Sequence, residues 1–175
     1  MQLLNGPGIL TEKIFIDSAH LKRKVEIDFF LPKHVKDTAQ LELLLINDGQ
    51  SLSEMDFERV LDSLYSEEKI GPLLCAGIYA GNDRRMEYGV AAKPDYMGRG
   101  ARAGQYTSFV LHELIPFIYK KYLIGSFKAK AVAGFSLGGL MALDMVWNHP
   151  LIFKKAGVFS GSFWWRSLDQ HDTNY

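Results

Sequence analysis

The chain has 175 residues, with 20 basic and 20 acidic side chains and a formal net charge of zero. That length fits one domain, and 47% hydrophobic with 23% charged residues excludes a disordered chain. Charge neutrality argues against an electrostatic nucleic-acid binder, and the doublets Lys120-Lys121 and Lys154-Lys155 are too short for a phosphate track.

The first fifty residues read as strands. Residues 12–17 and 24–31 alternate in part, with Val25, Ile27 and Phe29 against Glu26 and Asp28, and the polar 18–23 stretch between them makes a hairpin connection. Pro32 closes the second strand because it has no amide to donate. Residues 41–46 form a buried strand that ends at Asn47-Asp48-Gly49. Over 56–68, Phe57, Val60, Leu61, Leu64 and Tyr65 fall on one helical face.

Residues 73–79 are the next strand and carry Cys75, the single cysteine, which is expected to be a small buried core residue. One cysteine excludes an internal disulfide and a cysteine-based zinc site, and no metal or organic cofactor is expected. The Gly- and Arg-rich stretch 81–104 is a long irregular excursion, of a length that in compact domains usually serves function. Helical spacing resumes over 105–122, with Pro116 expected to kink or divide the helix. Residues 129–135 are a strand, 137–147 a helix and 155–159 a last strand. Alternation of this kind implies an α/β fold, with a mostly parallel sheet, helices on both faces and an N-terminal antiparallel hairpin.

The junction 134–138, Gly-Phe-Ser-Leu-Gly, lies directly between a strand and a helix. A serine raised above the strand ends needs a very tight turn, and Gly134 and Gly138 are small enough to flank it. Gly139 lets the helix approach closely. The pattern marks Ser136 as a candidate nucleophile, with the amide of Leu137 opening the helix as an oxyanion donor. A second donor is expected from the loop Asn47–Ser51, where Gly49 would turn the chain and aim the amide of Gln50. An ordinary Asp-Gly turn reads the same way.

At these residues the sequence resembles the esterase-D and enterobactin-esterase-like branch of the α/β-hydrolases. The resemblance runs from about Lys24 to Trp165. It rests on Asp48-Gly49, Arg84-Arg85-Met86-Glu87-Tyr88, Gly104, Phe109, Glu113-Leu114, Pro116, the segment 133–140 and Phe159-Ser160-Gly161-Ser162-Phe163-Trp164-Trp165. It implies hydrolysis of a small-molecule ester through an acyl-enzyme on Ser136. The family acts on siderophore trilactones, feruloyl sugars and small thioesters, and acyl transfer also occurs on the scaffold. Arg84 and Arg85 either guide an anionic substrate, with Arg85 in the pocket, or one of them pairs with Glu87 to pin the excursion. Trp164 is a candidate pocket residue, although core packing accounts equally well for a Trp-Trp pair.

A serine needs a base, normally a histidine oriented by a carboxylate, and in this fold both follow the nucleophile. His149 closes the elbow helix and should face away, while His171 lies in a polar tail with no element to hold it. His20, His34 and His112 precede the serine and carry no mark of a base. No triad acid or histidine is therefore identified. The resemblance implies that residues 1–175 correspond to the N-terminal two-thirds of a single hydrolase domain, with the C-terminal strands missing and activity impaired. The strand 155–159 would then expose a sheet edge, inviting a homodimer or a complementing polypeptide. With no apolar run of about 20 residues and no leader-like start, the expectation is a cytoplasmic chain without membrane association.

Overall fold

The computed structural model describes residues 8–33, 35 and 37–165. Six strands form one mixed sheet in the order β1-β2-β4-β3-β5-β6: β1 (Ile9–Ser18), β2 (Arg23–Pro32), β3 (Glu42–Asn47), β4 (Leu73–Ile78), β5 (Lys130–Phe135) and β6 (Lys155–Phe159). β1 and β2 make the antiparallel hairpin, β2 lies antiparallel to β4, and β4, β3, β5 and β6 run parallel. Glu113 pins the hairpin turn, accepting the Ser18 hydroxyl at 2.6 Å and the Ala19 amide at 2.9 Å.

Because strand side chains alternate, the central strands feed two apolar layers. On one face Leu43, Leu45 and Val132 meet Tyr106, Phe109, Leu140, Met141 and Met145. These come from α3 (Ala103–Phe109) and α5 (Leu137–Asn148), with α4 (Ile115–Lys121) contributing Ile115 and Ile118 to the same layer. On the other face Phe30, Ile46 and Cys75 meet Leu61 of α1 (Phe57–Ser66) and Leu52, and the Phe57 ring sits edge-on to Phe30 at 5.1 Å. Burial pushes the Cys75 thiol up to about 12, so it stays protonated and serves packing.

Pro116 lies within the first turn of α4, and a π-helical turn, Val110–Leu114, joins α3 to α4. The wider turn keeps the apolar stripe continuous where Pro116 has no amide to give.

The excursion after β4 is tied down along its length. It contains the short helix α2 (Arg84–Glu87), and the amides of Gly100 and Arg102 donate to the carbonyls of Arg85 and Met86, both at 2.8 Å. The Trp165 ring wedges between Gly89 and Gly100, where an added Cβ would approach it to 2.3 and 2.7 Å, and its indole N–H donates to the Lys93 carbonyl at 2.9 Å.

Candidate active site

The chemistry converges at the carboxyl ends of β3, β5 and β6, where ligands bind in open α/β sheets. β3 and β5 are neighbours, in register from Leu43 opposite Lys130 to Ile46 opposite Ala133. The loops that follow them therefore leave the sheet side by side, bringing Asn47 and Asp48 next to the turn at Ser136.

Ser136 takes a positive φ, 53°, with ψ −120°. A residue with a side chain pays strain of roughly 1–3 kcal/mol there. The turn is tight enough that an added Cβ on Gly134 would stand 2.5 Å from the carbonyl carbon and oxygen of Gly138. On Gly138 it would stand 2.9 Å from Asp48 Oδ2, and on Gly139 2.9 Å from the Gly134 carbonyl oxygen. Three glycines are thus required by contact distance. Ser136 is exposed, while Gly134 and Gly138 are buried. Leu137 is the first residue of α5, so its amide is one of the helix-start donors without an intrahelical acceptor.

The strained turn is held by the segment after β6. The Ser136 amide donates to the Phe159 carbonyl at 3.0 Å, and the Ser162 amide donates to the Ser136 carbonyl at 3.2 Å. The hydroxyls of Ser136 and Ser162 lie 3.0 Å apart. From the β3 side, the Asn47 amide group donates to the Gly138 carbonyl at 2.8 Å and accepts from the Tyr106 hydroxyl at 2.6 Å. The Asp48 amide donates to the Tyr88 hydroxyl at 3.1 Å. Burial pushes both tyrosine hydroxyls up from their ordinary range, so they remain protonated at neutral pH.

The loop after β3 differs from the expectation in how it turns. Asp48 takes the left-handed conformation, φ 62° and ψ 47°, and Gly49 begins a short 3-10 turn through Ser51. Gly49 is there for space, because a Cβ would meet the Gly77 carbonyl carbon at 2.3 Å. Gln50 is exposed, and its side chain bridges the loop, accepting from the Ala80 amide at 3.0 Å and donating to Asp48 Oδ1 at 3.1 Å.

The arginine reading is also corrected. Glu87 is fully buried and pairs with Arg23 of β2, whose Nε and Nη2 donate at 2.9 and 2.7 Å. Arg84 instead forms a two-point pair with Asp48 at 2.6 and 2.7 Å, and the Asp48 carboxylate raises its pKa. Both pairs pin the excursion, through partners distant in sequence. The Arg85 side chain is exposed and forms no ion pair among the described residues. Trp164 is 38% exposed with the Arg99 guanidinium 4.7 Å from its ring, whereas Trp165 is the packing member of the pair at 7%.

Among the described residues no imidazole or carboxylate hydrogen-bonds Ser136 Oγ. His149 caps the far end of the 12-residue α5, roughly 18 Å along the helix. His20 in the hairpin turn and His112 in the π-helical turn have ring centroids 5.8 Å apart. His34 and His171 lie outside the described residues. Among the described residues, too, no cluster of His, Cys, Asp or Glu could hold a metal ion, and no helix is long and apolar enough to cross a membrane.

The elbow at the head of a parallel strand, the antiparallel hairpin and the helices on both faces define an α/β-hydrolase. The profile of the family described as "Putative esterase" matches residues 18–175, and the chain belongs to that family. An enterochelin esterase from Shigella flexneri superimposes with a TM-score of 0.73 at 25% identity, over 91% of this chain and 38% of its own. The BES protein of Bacillus cereus shares the fold, with a TM-score of 0.73 at 20% identity, over 94% of this chain and 65% of its own. The uncharacterised protein YbbA of Bacillus subtilis is 26% identical over 140 residues, 78% of this chain and 56% of YbbA. The chain thus spans a little over half the length of that curated relative.

Proposed function

We propose that this chain carries the nucleophile and the oxyanion site of a serine ester hydrolase. Ser136 Oγ attacks the ester carbonyl carbon, and the developing oxyanion is received by the amides of Leu137 and Gln50. The tetrahedral species collapses with loss of the alcohol, and water then releases the acid from the acyl-Ser136 ester. The observation that carries this reading is the backbone of Ser136, held at φ 53° by three crowded glycines and a clamp from β6. A turn serving only to connect β5 to α5 gains nothing from that strain.

The proton of Ser136 needs an acceptor, and the described residues around it supply none. Full turnover therefore calls for a base from outside the described residues, and without one in place activity is expected to be impaired. Exposed Arg85 and half-exposed Trp164 are assigned to the substrate pocket, with Trp164 supplying a flat apolar wall. The likeness to enterobactin esterases makes enterobactin the first named substrate to try. Binding without chemistry is the competing reading, favoured by the absence of a base at Ser136 among the described residues; acyl transfer on the same serine differs only in the second nucleophile. The test is acetylation by p-nitrophenyl acetate followed by peptide mapping. One acetyl group on the peptide bearing Ser136, absent from Ser136→Ala, is the expected result, and acetylation confined to lysines overturns the reading.

A further inference from the structure

The geometry points to Ser162 as a positioning residue for the Ser136 hydroxyl, a role that rests on the nucleophile reading above. We propose that its hydroxyl donates to Ser136 Oγ, fixing the rotamer and stabilising the oxygen as it gives up its proton.

Ser162 touches the nucleophile twice, through an amide at 3.2 Å to the Ser136 carbonyl and a hydroxyl at 3.0 Å to Ser136 Oγ. It is only 3% exposed, so water does not readily take the place of that partner. The segment is shaped for the purpose. Ser160 takes a left-handed conformation with φ 49°, and the Phe163 amide donates back to the Gly161 carbonyl at 2.9 Å. This tight reversal directly after β6 turns Ser162 onto the elbow. An added Cβ on Gly161 would meet Val158 Cγ1 at 2.7 Å and the Phe163 ring at 2.8 Å, so a larger residue there would have to displace those side chains. A connector leaving β6 needs neither the reversal nor a buried hydroxyl.

The chemistry requires no new reactant. The Ser136 proton goes to whatever base completes the site, Oγ forms the bond to the carbonyl carbon, and Ser162 keeps its own proton. A serine hydroxyl is far too weakly basic to accept a proton at neutral pH, so it acts as a donor and is no substitute for that base.

The experiment measures the rate of fluorophosphonate labelling of Ser136 in the full chain, and the pairwise coupling of the two serines in thermal melts. Ser162→Ala is expected to label about five- to tenfold more slowly, the size of one hydrogen bond to a reacting oxygen, with unchanged probe affinity. If Ser162→Ala does not fold, Ser162→Thr and Ser162→Val supply the same contrast at equal size. Thr should label close to the parent rate and Val as slowly as Ala. In the melts, the Tm loss of the Ser136→Ala, Ser162→Ala double variant should be smaller than the sum of the single losses. Labelling of Ser162→Ala or Ser162→Val at the parent rate overturns the proposal. Should the parent chain not label at all, the nucleophile reading fails for this chain while the melts still decide the serine pair. Additive Tm losses then overturn it.

Discussion

The two flanks of the sheet are built differently. Around the elbow, β3, β5 and α5 approach so closely that three glycines are obligatory, and buried polar groups meet named partners. One strand further out the packing stops. Among the described residues β6 pairs only with β5, and Phe159 is 52% exposed on the face that α1 covers at the other end of the sheet. Its ring stacks on Phe135, itself 39% exposed, at 4.8 Å. On the α5 side Val158 is only half-buried, although it touches the helix. The elbow is over-determined, while among the described residues the outer flank is an unpaired edge with apolar surface beside it. Precision in this chain is concentrated where the proposed nucleophile sits.

That contrast can be broken by substitution. The largest effect is expected for Gly134→Ala, whose Cβ would overlap backbone and so force β5 from α5, with a loss of about 3 kcal/mol in urea melts. Gly71→Ala, with nothing within 4 Å, should stay within about 0.5 kcal/mol. A smaller difference is expected between the two arginines. Arg84→Met leaves Asp48 buried without its counter-charge and should lose about 2 kcal/mol, less than a fully buried pair because Arg84 reaches water. Arg85→Met should leave the melt unchanged and, if Arg85 meets substrate, weaken binding of an anionic ester.

On the outer flank the expectation reverses, with little change in stability and a change in association. The chain should self-associate at micromolar concentration through the β6 edge, and Phe159→Lys should shift light-scattering masses toward the monomer. A parent chain that is already a clean monomer contradicts this.

The smallest effect concerns Asp144 on α5, which accepts from the Ala91 amide at 3.0 Å and whose pKa burial raises above 3.8. The folded state thus holds that proton more tightly than the unfolded state. The contribution is full below the ordinary aspartate range and is lost as pH rises through the raised value. The stability advantage of the parent over Asp144→Asn should therefore shrink as pH rises from the ordinary aspartate range through the raised value, in melts followed across pH. A pH-independent difference would show that burial of this carboxylate is not the controlling factor.

Much of the architecture is legible in the sequence because its signals are local. Alternation marks the hairpin, helical spacing marks α1 and the segment 105–122, and Gly-x-Ser-x-Gly between a strand and a helix marks the elbow. The limits of 155–159 agree with β6 to the residue. What escapes is long-range. Arg23 reaches Glu87 across 64 residues and Arg84 reaches Asp48 across 36, and no spacing rule announces either. Asp48 takes the left-handed position that composition would give to Gly49, because Gly49 is needed where β4 passes underneath. Tyr88 and Ser162 enter the sequence reading only as members of family-like motifs, and Tyr106 as a residue of a helical segment, with no contact to the elbow announced. Only the folded chain brings them onto the elbow. Likewise, nothing local separates Trp164 at the surface from Trp165 between two glycines.

The most direct test of the nucleophile claim is intact-mass spectrometry of the purified chain after exposure to a fluorophosphonate. A single adduct per chain, mapped to Ser136 and lost in Ser136→Ala, is the expected result. An unmodified mass after prolonged exposure, or an adduct that survives Ser136→Ala, would contradict it.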